Sequence, residues 1–141
     1  MDILDAVNNL VRTHKTRNPF EIIMGMNVIL VFYPLDGIRG FYQYFQRNNI
    51  IYIDNQLSDK ERRFVCAHEL GHMLLHKNFN SIFMDTRTQF HTDVFEAQAD
   101  KFAMHLLISD DDLIQHKEYS LEQMSSIFGY HEKLIQLRVN S

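Results

Sequence analysis

Cysteine is nearly missing from this chain of 141 residues: Cys66 is the only one. It cannot close an internal disulfide, so stability has to come from a hydrophobic core, and a reducing compartment, the cytosol, is expected. Proline occurs twice, at Pro19 and Pro34, and no stretch rich in Pro, Gly or Ser interrupts the chain. A linker between two domains is therefore not expected, and residues 1–141 read as a single domain. Positive charge is also short, with 14 Lys and Arg against 18 Asp and Glu and a net charge of -4. That balance excludes a general attraction to nucleic-acid phosphates. Long apolar runs are absent: the longest, residues 22–34, is broken by Gly25 and Asn27 and falls short of the roughly 20 residues that span a bilayer. The start, Met1-Asp2-Ile3-Leu4-Asp5, is acidic where a secretion signal would be basic and then apolar. A cytoplasmic protein with no membrane span is expected. What is present, 45% hydrophobic and 12% aromatic residues, suffices for a packed core and excludes wholesale disorder.

The patterning predicts an α+β chain. Ile3, Leu4, Val7, Leu10 and Val11 recur at helical spacing over residues 2–14, which predicts an amphipathic helix ending before Asn18-Pro19. Residues 27–32 are apolar and β-branched, and residues 41–45 and 50–53 flank a turn at Arg47-Asn48-Asn49, so a strand followed by a hairpin in a small antiparallel sheet is expected. Ser58 and Glu61 form a capping signal for a helix over residues 59–76, and Asp93 with Glu96 does the same for one over 94–108. Shorter helices are predicted at 110–117 and 121–128, with Asp110, Asp111 and Asp112 as charges near a helix start. Gly129 should end the second, before a last helix reaching Arg138.

Chemistry concentrates in His68-Glu69-Leu70-Gly71-His72. Two histidines four apart stand about 40° apart and one turn apart on a helix, so they can share a metal ion, with Glu69 beside them. Ala67, Leu70 and Leu74 fall on the opposite face, which should pack. His76 continues the spacing, but eight residues of helix rise about 12 Å, too far for His68 and His76 to share an ion with nitrogens at about 2.0 to 2.1 Å. It reads instead as a polar residue at the helix end, favoured by the dipole.

In the second long helix Asp100, Ala103 and Leu107 fall within roughly 40° of Glu96, while Gln98, Lys101 and His105 lie on the other side. Two carboxylates on an apolar face ask for a cation, because an unpaired buried carboxylate costs several kcal/mol or takes up a proton. Glu96 would complete a His, His, Glu set that leaves a fourth position for water, as in catalytic rather than structural zinc. Asp100, one turn on, is placed to accept the far ring N–H of a ligand histidine.

These residues resemble the ImmA/IrrE metallopeptidases, a family found in mobile genetic elements and bacterial stress regulators. The resemblance rests on Ala67-His68-Glu69-Leu70-Gly71-His72 with Leu75-His76, on residues 96–103 from Glu96 to Ala103, and on Arg39-Gly40-Phe41, and it covers roughly residues 20–140. It implies a gluzincin-like, zincin-type fold, Zn2+ held by His68, His72 and Glu96, and Glu69 as catalytic base. In the phage and mobile-element members it implies a protein substrate, a helix-turn-helix repressor whose cleavage releases silenced genes.

The expected reaction is peptide hydrolysis, with Glu69 taking a proton from water. Tyr42, Tyr44, His91 and Arg39 are all chemically able to stabilise the oxyanion, and spacing does not choose among them. The hairpin could offer an edge to which an extended substrate adds. A competing reading is a catalytically silent metal-binding regulator that grips the repressor without cutting it; the presence of Glu69 favours the enzyme. Residues 120–138 have a helix, Gly129, helix pattern reminiscent of DNA readers, but Glu122, Glu132, Lys133 and Arg138 balance, so packing or partner docking is expected rather than direct nucleic-acid contact.

Overall fold

The structure, a computed structural model, describes residues 2–76 and 89–140, with side chains of the second segment described from Asp93 onward. Helix α1 (Ile3–His14) starts where Asp2 accepts hydrogen bonds from the Leu4 and Asp5 amides, and it buries Ala6, Val7 and Leu10. Leu4, expected on the apolar stripe, is exposed. A second helix, α2 (Pro19–Gly25), was not expected. Asn18 caps it by accepting from the Phe20 N–H, and Pro19 occupies the first turn, where a missing N–H costs nothing. Ile22 and Ile23, which the sequence reading placed in the apolar run before the strand, are core residues of this helix.

The sheet corrects the expectation of an antiparallel one: it is mixed. Strands β1 (Ile29–Tyr33), β2 (Gly40–Phe45) and β3 (Asn48–Asp54) lie in the order β1-β3-β2, with β2 and β3 antiparallel and β1 parallel to β3. The hairpin turn is also tighter than expected. Gln46 and Arg47 carry positive φ values of 50° and 68°, the two-residue turn whose twist matches the strands. Asn48 and Asn49 thus belong to β3, opposite Phe45 and Tyr44.

Ser58 and Glu61 form the capping box of α3 (Asp59–Leu75), as the sequence indicates. Every residue from Phe64 to Met73 is buried. The histidine face is therefore enclosed too, because α4 (Gln89–Leu107) lies across it. Gly71 permits the approach: a Cβ there would stand 3.0 Å from the Phe102 ring of α4. Since α4 begins at Gln89, Asp93 sits inside the helix and is not its cap, a second correction.

Three shorter helices close the chain: α5 (Asp110–Gln115), α6 (Leu121–Phe128) and α7 (Glu132–Val139). Ser109 with Asp112 and Ser120 with Gln123 cap the first two, and Gly129 at φ 83° ends α6. Met124, Tyr130 and Ile135 are buried. Arg138 is buried as well, donating to the Ile108 carbonyl at 2.8 Å and the Asp110 carboxylate at 2.6 Å. This end of the chain packs against the core, and its arginine is committed inward. Among the described residues, no helix is long and apolar enough to cross a membrane.

Candidate metal centre

The crossing of α3 and α4 brings three of the expected residues together. Nε2 of His68 lies 2.9 Å from one carboxylate oxygen of Glu96, and Nε2 of His72 lies 2.7 Å from the other. One ligand atom from each of the three residues falls within 4.8 Å of the other two, a cluster that could hold a metal ion. Two imidazoles and a carboxylate suit a zinc ion well. The fit extends outward, because Nδ1 of His68 lies 2.8 Å from Asp100, leaving Nε2 as the atom directed into the cluster.

The electrostatics carry the same message. Burial opposes a charge on His68, yet hydrogen bonds to Asp100 and Glu96 outweigh it and push its pKa up to about 10. Burial would also raise Glu96, but hydrogen bonds from His68 and His72 hold its carboxyl far below the usual carboxylate range. The cluster thus favours positive charge, as a site for a cation should.

A cleft of about 340 Å³ opens onto this cluster, lined among others by Arg39, Gly40, Phe64, His68, Glu69 and Glu96. Glu69 lines the same cleft and is not one of the three residues of the cluster. Of the four oxyanion candidates, Arg39 lines the cleft. Its guanidinium is half exposed, 4.0 Å from Glu61 and 5.7 Å from the centre of the Phe64 ring. Tyr42 is buried in the core and donates to Asn49 at 2.7 Å. Tyr44 lies further along β2, half exposed and outside the cleft lining. The side chain of His91 lies outside the described residues. Burial, reinforced by Glu69, pushes the Cys66 thiol up, which makes it a poor nucleophile.

His76 corrects another expectation. It does cap the end of α3, but it is buried there, and what engages its ring is a bridge between His72 and Gln98 and not the helix dipole alone. Burial lowers its pKa, so it is neutral at physiological pH. The sequence signal for this role was the Leu75-His76 extension. Its partner, Gln98, which helical spacing alone sets apart from Glu96, meets it where the two helices cross.

Residues 24–139 match the family described as the IrrE N-terminal-like domain. Uncharacterized immunity region protein 2 of Bacillus phage phi105 is 39% identical over 136 residues, covering 94% of this chain and 86% of the phage protein. Metallopeptidase ImmA of Bacillus subtilis (strain 168) is 30% identical over 133 residues, covering 90% of this chain and 78% of that protein.

Proposed function

The chain belongs to the IrrE N-terminal-like family of metallopeptidase-like proteins, and on that premise we propose that it is a zinc-dependent endopeptidase acting on a regulatory protein, a helix-turn-helix repressor. The observation that carries this reading is the convergence of His68, His72 and Glu96 within 4.8 Å, with His68 and Glu96 lining the cleft that Glu69 also lines. The relative from a phage immunity region supports a repressor as the substrate class.

His68 and His72, through Nε2, and Glu96, through its carboxylate, would hold the ion. When bound, zinc supplies a Lewis acid that polarises a carbonyl and activates water. Glu69 takes the proton of the attacking water and passes it to the leaving amine. Arg39, at the cleft wall, donates hydrogen bonds to the substrate carbonyl oxygen as negative charge develops there. Strand β2 is an outer strand of the sheet, and its Gly40 end lines the cleft. At that end of β2 an extended substrate would be held by backbone hydrogen bonds. A cleft of this size takes an extended segment, so the scissile bond lies in an exposed or locally unfolded stretch of the repressor.

Incubation of the zinc-loaded protein with the repressor encoded beside its gene, followed by mass spectrometry of the fragments, tests the reading. Cleavage at a defined bond is expected. Glu69→Gln should keep the ion and lose about 10²- to 10⁴-fold in rate. An intact repressor bound by the loaded wild-type protein would replace this reading with that of a silent regulator, and full activity in Glu69→Gln would refute the base.

A further inference from the structure

Behind His72, away from Glu96, lies a short chain of polar groups. Nδ1 of His72 is 2.9 Å from Nδ1 of His76, and Nε2 of His76 is 2.7 Å from Oε1 of Gln98. Both imidazoles are buried, and the Phe95 ring packs on His76 with centroids 4.2 Å apart.

Two proton arrangements satisfy this chain. In the first, neutral His72 carries its proton on Nδ1 and donates to His76. His76 then carries its own proton on Nε2 and donates to the amide oxygen of Gln98. Nε2 of His72 keeps a lone pair for a metal ion. In the second, the Gln98 NH2 group donates to Nε2 of His76, Nδ1 of His76 donates to His72, and the His72 proton sits on Nε2, where it donates to Glu96 in the metal-free protein and blocks coordination. Since the two rings meet Nδ1 to Nδ1, the choice passes unchanged from Gln98 to His72.

We propose that Gln98, acting through His76, is a positioning residue that fixes His72 in the tautomer able to bind metal. The inference rests on the reading of His72 as a ligand. It assigns a function to a glutamine that touches neither the ion nor the substrate. It also separates the two ligand histidines, for His68 is held directly by the Asp100 carboxylate, whereas His72 is held through His76 by the amide oxygen of Gln98.

The test uses the full chain loaded with zinc. Ring 15N spectra should find His72 protonated on Nδ1 and His76 protonated on Nε2. Zinc affinity is then measured by competition with a chromophoric chelator for the wild type, Gln98→Met and Gln98→Glu, alongside the melting temperature of each metal-free protein. Gln98→Met removes the acceptor at similar size and should weaken zinc binding by about 10- to 100-fold with little change in metal-free melting. Gln98→Glu restores an acceptor and should bind as tightly as the wild type or tighter. A wild-type protein that takes up no zinc overturns the ligand reading and this inference together. If the wild type binds zinc, two results would each leave the ligands intact and refute Gln98. One is equal affinity in Gln98→Met; the other is a wild-type His76 whose proton sits on Nδ1, which decides the matter even should the variants fail to fold.

Discussion

His68 on α3 and His105 on α4 are buried to nearly the same degree, 8% and 5% exposed, yet their surroundings drive them to opposite states. His68 has Asp100 on one ring nitrogen and Glu96 on the other, and its pKa is pushed up to about 10. Nε2 of His105 finds no hydrogen-bond partner among the described residues. Burial, with Arg138, Lys101 and Arg17 nearby and only Asp110 opposing them, pushes His105 down to about 4. Arg17 and Arg138 are there for a different purpose: they donate to the carbonyls of His105, Leu106 and Ile108, satisfying the acceptors at the end of α4. A buried histidine is thus not by itself a sign of a metal site. The sign is a buried histidine on which carboxylates converge, and α4 supplies acids at its middle and meets cations at its end.

Removing the carboxylates should erase that contrast. Glu96→Ala deletes a proposed ligand and is expected to abolish stoichiometric zinc uptake in elemental analysis of the purified protein. Asp100→Asn leaves the three ligand atoms in place but exchanges an obligate acceptor for an amide, and a loss of about 10- to 100-fold in zinc affinity is expected. Full zinc occupancy in Glu96→Ala would place the third ligand elsewhere.

Much of this arrangement was legible in the chain because it is local. The capping pairs Ser58 with Glu61 and Ser120 with Gln123, the four-residue spacing of His68 and His72, and the placing of Glu96 and Asp100 on one helical face each depend on a few neighbouring residues. What escaped depends on distant partners. The parallel pairing of Ile29–Tyr33 with residues 50–54 has no local signature, so the sheet read as antiparallel. Asn18-Pro19 is as valid a helix start as a helix stop, and the burial of Ile22 and Ile23 selects the former. The true start of α4 at Gln89 lies before the point where apolar periodicity becomes visible, which made Asp93 look like a cap. Helix geometry set His76 apart from an ion shared with His68, but its link to Gln98 arises from the crossing of two helices. Of the oxyanion candidates, spacing could not show that Arg39 lines the cleft and that Tyr42 lies in the core.

The two histidines should also give the metal-free protein opposite pH responses. His68 has a folded pKa above its unfolded value of about 6.5, so its contribution is fully present below that pH and is lost as pH rises through about 10. Urea unfolding after chelation should show stability falling on the alkaline side, and Glu96→Gln should flatten that fall. Zinc should remove it, since the ion replaces the proton and binds only the folded state. An alkaline limb identical in Glu96→Gln would detach the effect from this cluster.

His105 supplies the smallest and sharpest test. Its folded pKa lies below its unfolded value, so its neutral form favours folding above about pH 6.5, and that advantage is lost as pH falls through about 4. The unfolded chain binds the proton that the folded site refuses, where Arg17, Lys101 and Arg138 already crowd the ring. His105→Leu keeps an apolar side chain of similar bulk and has nothing to titrate. At pH 7.5 it should lie within about 1 kcal/mol of the wild type. At pH 5 it should be relatively more stable by about 1 to 2 kcal/mol, the shift discounted for partial screening. The difference between the two pH values is what matters, because packing changes affect both equally and cancel. Parallel stability curves would mean that His105 takes up its proton as readily in the folded protein as in the unfolded one, and the contrast with His68 would then be one of partners alone and not of charge state.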